Sequence, residues 1–491
     1  MKQIFLFVSF LAVVAPTFAA TDTFFCYFAT WATYRNGNGK VDVEDIDPNL
    51  CTHVIYTFVG LTSSGDVNLL DSWYDISLGG FSRFMNLKKQ NPNLKLMVAM
   101  GGWNEGSTTY SNVANSPSLR AAMVSNVVAF CKRYGFDGFD LDWEYPGLRG
   151  GASTDRAAFI ELLKDLRTRF NSEGLILTTA VGASAHFLSS SYNAAEMAKY
   201  CHYILLMTYD LRSAYDGATG QNAPLYASSK ESSGVSTYNV DAAVKAWIGA
   251  GADPARIVLG IPLYGKSFTL ASSATNGLGA RTTGPGPIGP YTQDPGTLNY
   301  IEICEKQQQG GWTTVWDNDQ KVPYTYKGTE WIGYDNVESV KIKVDYAKSY
   351  NLGGVMIYSL EQDDIRGVCG GGKYPLMTAI KNSLGSSSGG GNPTTTTTTQ
   401  TTTTTKGTTT TTTKGTTTTT RGTTTTTTPA PSPGGSVCQK TGYARDPNNC
   451  SLFYMCENNQ YGGFKETQFD CKTLCFDLTK NVCNYCNQVS C

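Results

Sequence analysis

Apolar residues recur along the chain in short, nearly unbroken runs of strand length, and between the runs they fall along one helical face. Residues 23–30, 53–59 and 95–100 are runs of the first kind; the first ends at Trp31 and the third enters Gly101-Gly102-Trp103. Residues 175–181, 202–209, 256–263 and 352–360 continue the series. Runs that are apolar on both faces predict strands of a parallel sheet covered by helices. The helical pattern is clearest over 118–134, where Leu119, Met123, Val127 and Phe130 share a face, and it returns over 155–170 and 241–250. One more strand, at 137–146, brings the series to eight. Strands alternating with helices in this way predict an α/β fold, a closed (β/α)8 TIM barrel. A doubly wound open sheet is the alternative, but no glycine-rich phosphate loop follows the first strand.

The pattern breaks in three places. The gap between the seventh and eighth strands is too long for a simple crossover. Its residues 266–336 are rich in Gly, Thr and Tyr, with strand character over 325–334. This predicts a small α+β insertion beside the barrel mouth. Residues 385–436 are Gly and Ser, then Thr runs broken by Lys-Gly and Arg-Gly, then Pro-Ala-Pro-Ser-Pro. A stretch without apolar residues builds no core and reads as a linker, either a bare spacer or an O-glycosylated stalk. At the other end, Lys2, the apolar run 4–14 and Thr17-Phe18-Ala19 read as a secretory signal over 1–19. The run is too short for a membrane anchor. The mature chain, from residue 20 to 384 for the barrel and onward, is expected to be secreted, soluble and monomeric.

Composition narrows the partners. The net charge is −1 and 16% of residues are charged. There is no basic stripe for nucleic acid. Tyr, at 28, outnumbers Phe and Trp, which suits a surface for a polar, flat-faced ligand such as a sugar ring. The cysteines are uneven: Cys26, Cys51, Cys131, Cys201, Cys304 and Cys369 lie in the long first part. Cys438, Cys450, Cys456, Cys471, Cys475, Cys483, Cys486 and Cys491 crowd the last unit, 437–491. A unit that short needs staples, and in an oxidising compartment they are disulfides. A zinc module is the alternative, since Cys483 and Cys486 have ligand-like spacing, but no His accompanies them.

The densest chemistry lies in Asp137-Gly138-Phe139-Asp140-Leu141-Asp142-Trp143-Glu144-Tyr145-Pro146. Spaced by two on an extended strand, Asp140, Asp142 and Glu144 point to one side, roughly 6–7 Å between neighbours. Anions that close repel, so at least one is expected to keep a proton near neutral pH, as a general acid requires. Leu141 and Trp143 take the other, apolar face. A calcium loop is built instead on turns with graded Asp and Asn spacing, and an acidic surface strand would not alternate with bulky apolar residues. In a parallel barrel the C-terminal strand ends line the active site. Those ends gather Tyr27, Phe58, Gly102 with Trp103, the carboxylate row, Met207-Thr208-Tyr209-Asp210, Tyr264 and Tyr358. Tyr358 is expected to share a side with Met356 and Leu360.

The decapeptide resembles the signature of family 18 glycoside hydrolases, the chitinases. The resemblance extends through 95–103 (K-L-M-V-A-M-G-G-W), 207–210 (M-T-Y-D), 260–265 (G-I-P-L-Y-G) and 353–364 (G-G-V-M-I-Y-S-L-E-Q-D-D), and so over about residues 23–384. It implies hydrolysis of β-1,4 links between N-acetylglucosamine units of chitin by a substrate-assisted route, with no metal or cofactor. Glu144 is then the acid, Asp142 orients the substrate N-acetyl group, Asp140 shares a proton with Asp142, and Tyr209 donates to the attacking carbonyl. Met207 and Asp210 shape the pocket. Tyr358 and Tyr215 stand where many relatives carry Trp, Arg212 where His is common, and Lys266 where Arg is frequent. The family also implies bridges Cys26–Cys51 and Cys304–Cys369. Cys131 and Cys201 read as buried free thiols, or else a third bridge. Six of the last cysteines resemble the framework of peritrophin-A-type chitin-binding modules, with Cys475 and Cys486 as extras. The rival readings are a non-catalytic chitinase-like lectin and a chitin-matrix protein.

Overall fold

The computed structural model describes residues 23–231 and 233–385, and beyond them Gly442–Arg445, Leu452–Asn458, Phe464–Asp470, Cys475–Asp477 and Val482–Asn484. The signal segment 1–19, the linker after Gly385 and the pairing of the last eight cysteines lie outside the described residues.

Eight parallel strands make the frame: β1 (Thr23–Ala29), β2 (His53–Leu61), β3 (Lys95–Gly101), β4 (Gly138–Asp142), β5 (Ile176–Gly182), β6 (Tyr203–Met207), β7 (Ile257–Pro262) and β8 (Gly354–Tyr358). Each pairs with the next and β8 pairs back to β1, so the sheet closes as expected and the open-sheet alternative fails. Alternation along the strands sorts the side chains. Phe25, Tyr27, Ile55, Met97, Ala99, Leu205, Val258 and Met356 fill the interior, while Phe24, Cys26, Val54, Leu96 and Val98 pack under the helices. Each such buried aliphatic or aromatic side chain contributes roughly 1.5–3 kcal/mol. On β4 the interior register, set by Asp140 opposite Ala99 and Thr178, falls to carboxylates.

Among the helices, Pro117–Tyr134 is capped by Ser116, whose hydroxyl accepts the Leu119 N–H, and it ends on Gly135 at φ +83°. Its buried stripe is Met123, Val124, Val127, Val128 and Cys131. Leu119 and Phe130, expected on that face, sit half-buried at its margins. Helices Asp155–Glu173 and Val240–Gly249 match the other two patterns.

The insertion between β7 and β8 is α+β, as its composition predicted. Its antiparallel strands run in the order Thr282–Pro285, Tyr264–Leu270, Glu330–Gly333, Val322–Lys327, Thr313–Asp317. Thr297–Asn299 also pairs with Tyr264–Leu270 and leads into the helix Tyr300–Gln308. The strand character read at 325–334 belongs to a hairpin: Gly328, at φ +58°, turns the chain where a side chain would be strained. Strands β6 and β8 likewise stop short of Tyr209 and Leu360. Thr208 N–H turns back to the Leu206 carbonyl, and Asp210 takes φ +54°. Cys26–Cys51 and Cys304–Cys369 are bridged, and Cys131 and Cys201 are buried free thiols. The last unit, described by itself, has a three-stranded antiparallel sheet and a separate hairpin.

Candidate active site

Asp140 and Asp142 hold interior positions at the mouth end of β4, but Glu144 lies beyond the strand, which ends at Asp142. The expected row on one extended strand is therefore a strand pair followed by a bend. Two hydrogen bonds hold the bend: Gly102 N–H donates to the Asp142 carbonyl at 2.9 Å, and Arg149 Nη1 donates to the Glu144 carbonyl at 3.0 Å. The approach leaves no room at Gly101, where a Cβ would stand 2.0 Å from the Asp142 carbonyl oxygen. A Cβ at Gly102 would meet the Phe58 ring at 3.0 Å, so Gly102 spaces the site from behind. On the other face Leu141 and Trp143 are buried as expected, and Trp143 Nε1 donates to Ser107 Oγ at 3.0 Å.

All three carboxylates are buried, and their surroundings differ. Asp140 accepts the Tyr27 hydroxyl on Oδ2 and the Thr178 hydroxyl on Oδ1, both at 2.6 Å. Burial pushes Asp140 up to about 6, against the pull of those two hydrogen bonds. Asp142 is driven well above the ordinary carboxylate range by burial, then by Glu144 and Asp140, and its buried Oδ1 has no hydrogen-bond partner. Burial lifts Glu144 to about 7, while a Tyr145 hydrogen bond and the Arg149 charge pull it down. The mutual repulsion read from the sequence is present, but desolvation is the larger cause.

These groups open into a cleft of about 680 Å³. Of the residues expected in it, Tyr27, Phe58, Trp103, Asp142, Glu144, Met207, Tyr209, Asp210, Tyr264, Lys266 and Tyr358 line it. Asp140 lies beneath, Gly102 behind, and Tyr215 outside the lining, 81% exposed. The Tyr358 ring lies 5.7 Å from that of Tyr27 and 6.1 Å from that of Tyr209, a floor of three phenols. Beyond it, Asp210 Oδ1 accepts the Tyr264 hydroxyl at 2.8 Å and pairs with Lys266 Nζ at 2.7 Å. Arg212 is buried and paired with Asp216 at 2.8 Å and with Glu231, away from the floor.

Several contributors were not singled out from the sequence. Tyr145 lies within the signature decapeptide and Arg149 three residues beyond it, and adjacency was their available signal; Arg149 lies 3.6 Å over the Trp103 ring. Thr178 and Asn222 gave none, whereas Trp31 stood at the end of the first predicted strand and was left out of the strand-end set. Trp31 stacks beside Phe58 at 6.1 Å. Asn222 accepts the Asp210 N–H and donates to the Tyr264 carbonyl, joining two otherwise separate segments. His186 and Phe187 line the cleft from the short helix Ala185–Ser191 that follows β5, where Phe187 meets Tyr145 at 4.2 Å. Among the described residues, the one His/Cys/Asp/Glu grouping of metal-binding size is Cys304, Asp364 and Cys369, and its sulfurs are joined in the disulfide.

Comparison with known proteins agrees with this geometry. The chain is 39% identical to chitotriosidase-1 of Mus musculus over 367 residues, covering 73% of this chain and 77% of that protein. The structure of the group IV chitinase of Ostrinia furnacalis superposes with TM-score 0.73 at 44% identity, covering 74% of this chain and 99% of the other. Human YKL-39, described as a pseudo-chitinase with retained chitooligosaccharide binding, superposes with TM-score 0.70 at 36% identity, covering 74% of this chain and 100% of its own. The profile of glycosyl hydrolases family 18 matches residues 23–363, and the chain belongs to that family.

Proposed function

We propose that the protein is a secreted chitinase that cleaves β-1,4 links between N-acetylglucosamine units with retention of configuration, acting within chains. The observation that carries this reading is the pairing of a buried, proton-retaining Glu144 with Asp142, whose buried Oδ1 lacks a donor. An acid lifted to about 7 still holds a transferable proton at neutral pH. An unpartnered buried carboxylate oxygen is costly, and a substrate N–H arriving there offsets the cost.

On this reading Glu144 gives its proton to the leaving glycosidic oxygen. The carbonyl oxygen of the substrate's own N-acetyl group attacks the anomeric carbon, forming an oxazolinium ion. Asp142 accepts the N–H of that group and offsets the developing positive charge. Asp140, held by the Tyr27 and Thr178 hydroxyls, takes up part of the proton of Asp142 and releases it in the cycle. The Tyr209 hydroxyl donates to the attacking carbonyl. Water then opens the oxazolinium, returning a proton to Glu144, so two displacements leave the anomer unchanged.

The neighbours include a binding-only protein, and Tyr358 in place of Trp gives a second reading some footing: a chitooligosaccharide lectin. Against it stands the intact acid and both aspartates. A fluorogenic chitooligosaccharide assay separates the two, with early NMR spectra reading the product anomer. Release of product first as the β-anomer is expected; binding without turnover leaves the lectin. The linker and the Cys-rich unit 437–491 are proposed to tether the enzyme to chitin. Deleting everything after Leu384 is expected to spare soluble oligomers and to lower adsorption and rate on crystalline chitin. Among the described residues no helix is long and apolar enough to cross a membrane, and N-terminal sequencing of secreted protein tests the signal at 1–19.

A further inference from the structure

One fully buried carboxylate has no part in the chemistry above. Glu361 lies in the turn Leu360–Gln362 that follows β8. Strands β8 and β1 close the barrel, and their ladder runs from Thr23 opposite Gly354 to Cys26 opposite Ile357. There it stops. The next residue on each strand is Tyr27 and Tyr358, whose rings form part of the cleft floor. Each strand stays paired further up on its other flank: β1 with β2 as far as Ala29 opposite Thr57, and β8 with β7 as far as Tyr358 opposite Pro262. The closing seam therefore opens at the level where the floor is built.

Glu361 spans the opening. Its Oε2 accepts the Ala29 N–H from the end of β1 at 3.2 Å, and its Oε1 accepts the hydroxyl of Ser359, the residue after Tyr358, at 2.6 Å. Arg35 Nη1 stands 3.5 Å from Oε1 as the counter-charge. Hydrogen bonds to a buried carboxylate are about twice as strong as neutral ones. A buried charge costs more than a neutral filler of equal size, so packing alone gives no reason for it. We propose that Glu361 is a positioning residue for the catalytic centre. It clips β1 to β8 across the open seam and so fixes Tyr27, the donor to Asp140, together with Tyr358. The inference rests on the hydrolytic reading of the site. Misplacement by about 1 Å of a group bearing on the reaction costs up to roughly 100-fold in rate, and Tyr27 reaches Asp140 across 2.6 Å.

The test uses the full chain, a soluble fluorogenic chitooligosaccharide, and active sites counted by titration with a tight inhibitor, so that unfolded molecules drop out. Glu361→Ala is expected to lower kcat per titrated site by roughly tenfold or more, with a smaller change in KM. Glu361→Gln, which keeps the shape and one acceptor oxygen, should fall between, and Arg35→Lys, which keeps the counter-charge, should stay near the unaltered protein. In a double-mutant cycle with Tyr27→Phe the kcat losses should combine to less than their product, because both act on Asp140. If Glu361→Ala does not fold, the Gln variant and its cycle carry the same test. Unchanged kcat per titrated site, or losses that multiply fully with Tyr27→Phe, would reduce Glu361 to a brace of the barrel and overturn the proposal alone. An unaltered protein inert toward every chitooligosaccharide overturns the hydrolytic reading, and this inference with it.

Discussion

On the β4 side of the cleft, Asp140, Asp142 and Glu144 come from five consecutive positions and are all buried. On the side formed after β6 and β7, Asp210, Tyr264 and Lys266 are brought together from separate segments, and the Asp210 side chain is 54% exposed. Charges on the first side are desolvated and crowd one another; on the second Asp210 faces water and is paired with Lys266. Electrostatic effects grow as water is excluded. On the proposed function the buried side sets the chemistry, and the open side chooses which sugar chain is held. Predictions that respect this division should move kcat on one side and KM on the other.

The largest effect belongs to the buried side. Glu144→Gln should lower kcat by roughly 10²–10⁴-fold while oligosaccharide binding survives. Because burial lifts Glu144 to about 7, kcat should fall as the pH rises through that value and the proton is lost. Retained turnover in the Gln variant, or kcat that stays flat through neutral pH, would take the acid away from Glu144.

The same burial has a cost in stability. With a folded value of about 7 against an ordinary 4.5, the native state holds the Glu144 proton over a range where the unfolded chain has released it. Stability therefore falls as pH rises through that window. Glu144→Gln never ionises, so it should be the more stable protein at about pH 8, by up to roughly 3 kcal/mol, with the gap closing near about pH 4. Thermal melts of the two proteins at both pH values check this. An equal gap at both would break the link between the acid and the burial.

What was legible in the sequence divides along the same line. The carboxylates of β4 announced themselves because period-two alternation is local, and the strand ends pointed to Tyr27, Tyr209, Tyr264 and Tyr358. Even there, the end of β4 at Asp142 was hidden, since it depends on Gly102, just past the end of β3, reaching the Asp142 carbonyl. Asn222 and Thr178 were invisible for that reason too: their roles arise from contacts 12 and 38 residues away in the chain. Leu360, expected beside Tyr358 and Met356 on the inner face, belongs to the outer core, because β8 ends at Tyr358 and alternation ends with it.

Tyr358 sits where the two sides meet. Truncation to Ala removes one of the three phenols of the floor and should cost roughly 2 kcal/mol of transition-state stabilisation, divided between kcat and KM, since an unsupported sugar need not distort. Tyr358→Trp adds flat area and should tighten oligomer binding by up to about tenfold if Tyr27 and Tyr209 yield space. Normal kcat per titrated site in the Ala variant, with a lowered Tm, would make Tyr358 packing alone.

The smallest effect is expected at Tyr215, on the open side and outside the cleft lining. It rides on the turn in which Asp216 accepts the Ser213 N–H and hydroxyl, and Arg212 pairs with that same Asp216. The turn is thus held from beneath while the ring stays 81% exposed. An exposed ring that stacks a sugar contributes about 0.5–1 kcal/mol beyond what water already offers it. Tyr215→Ala should therefore raise KM severalfold for oligomers long enough to reach it, leaving kcat and the KM of the shortest substrates unchanged. The dependence on chain length is the decisive part, because a general loosening of the cleft would raise KM for every substrate alike. Kinetics on a graded series of chitooligosaccharides reads it directly: a uniform rise would move Tyr215 into the structural frame, and no rise at any length would remove it from the binding surface.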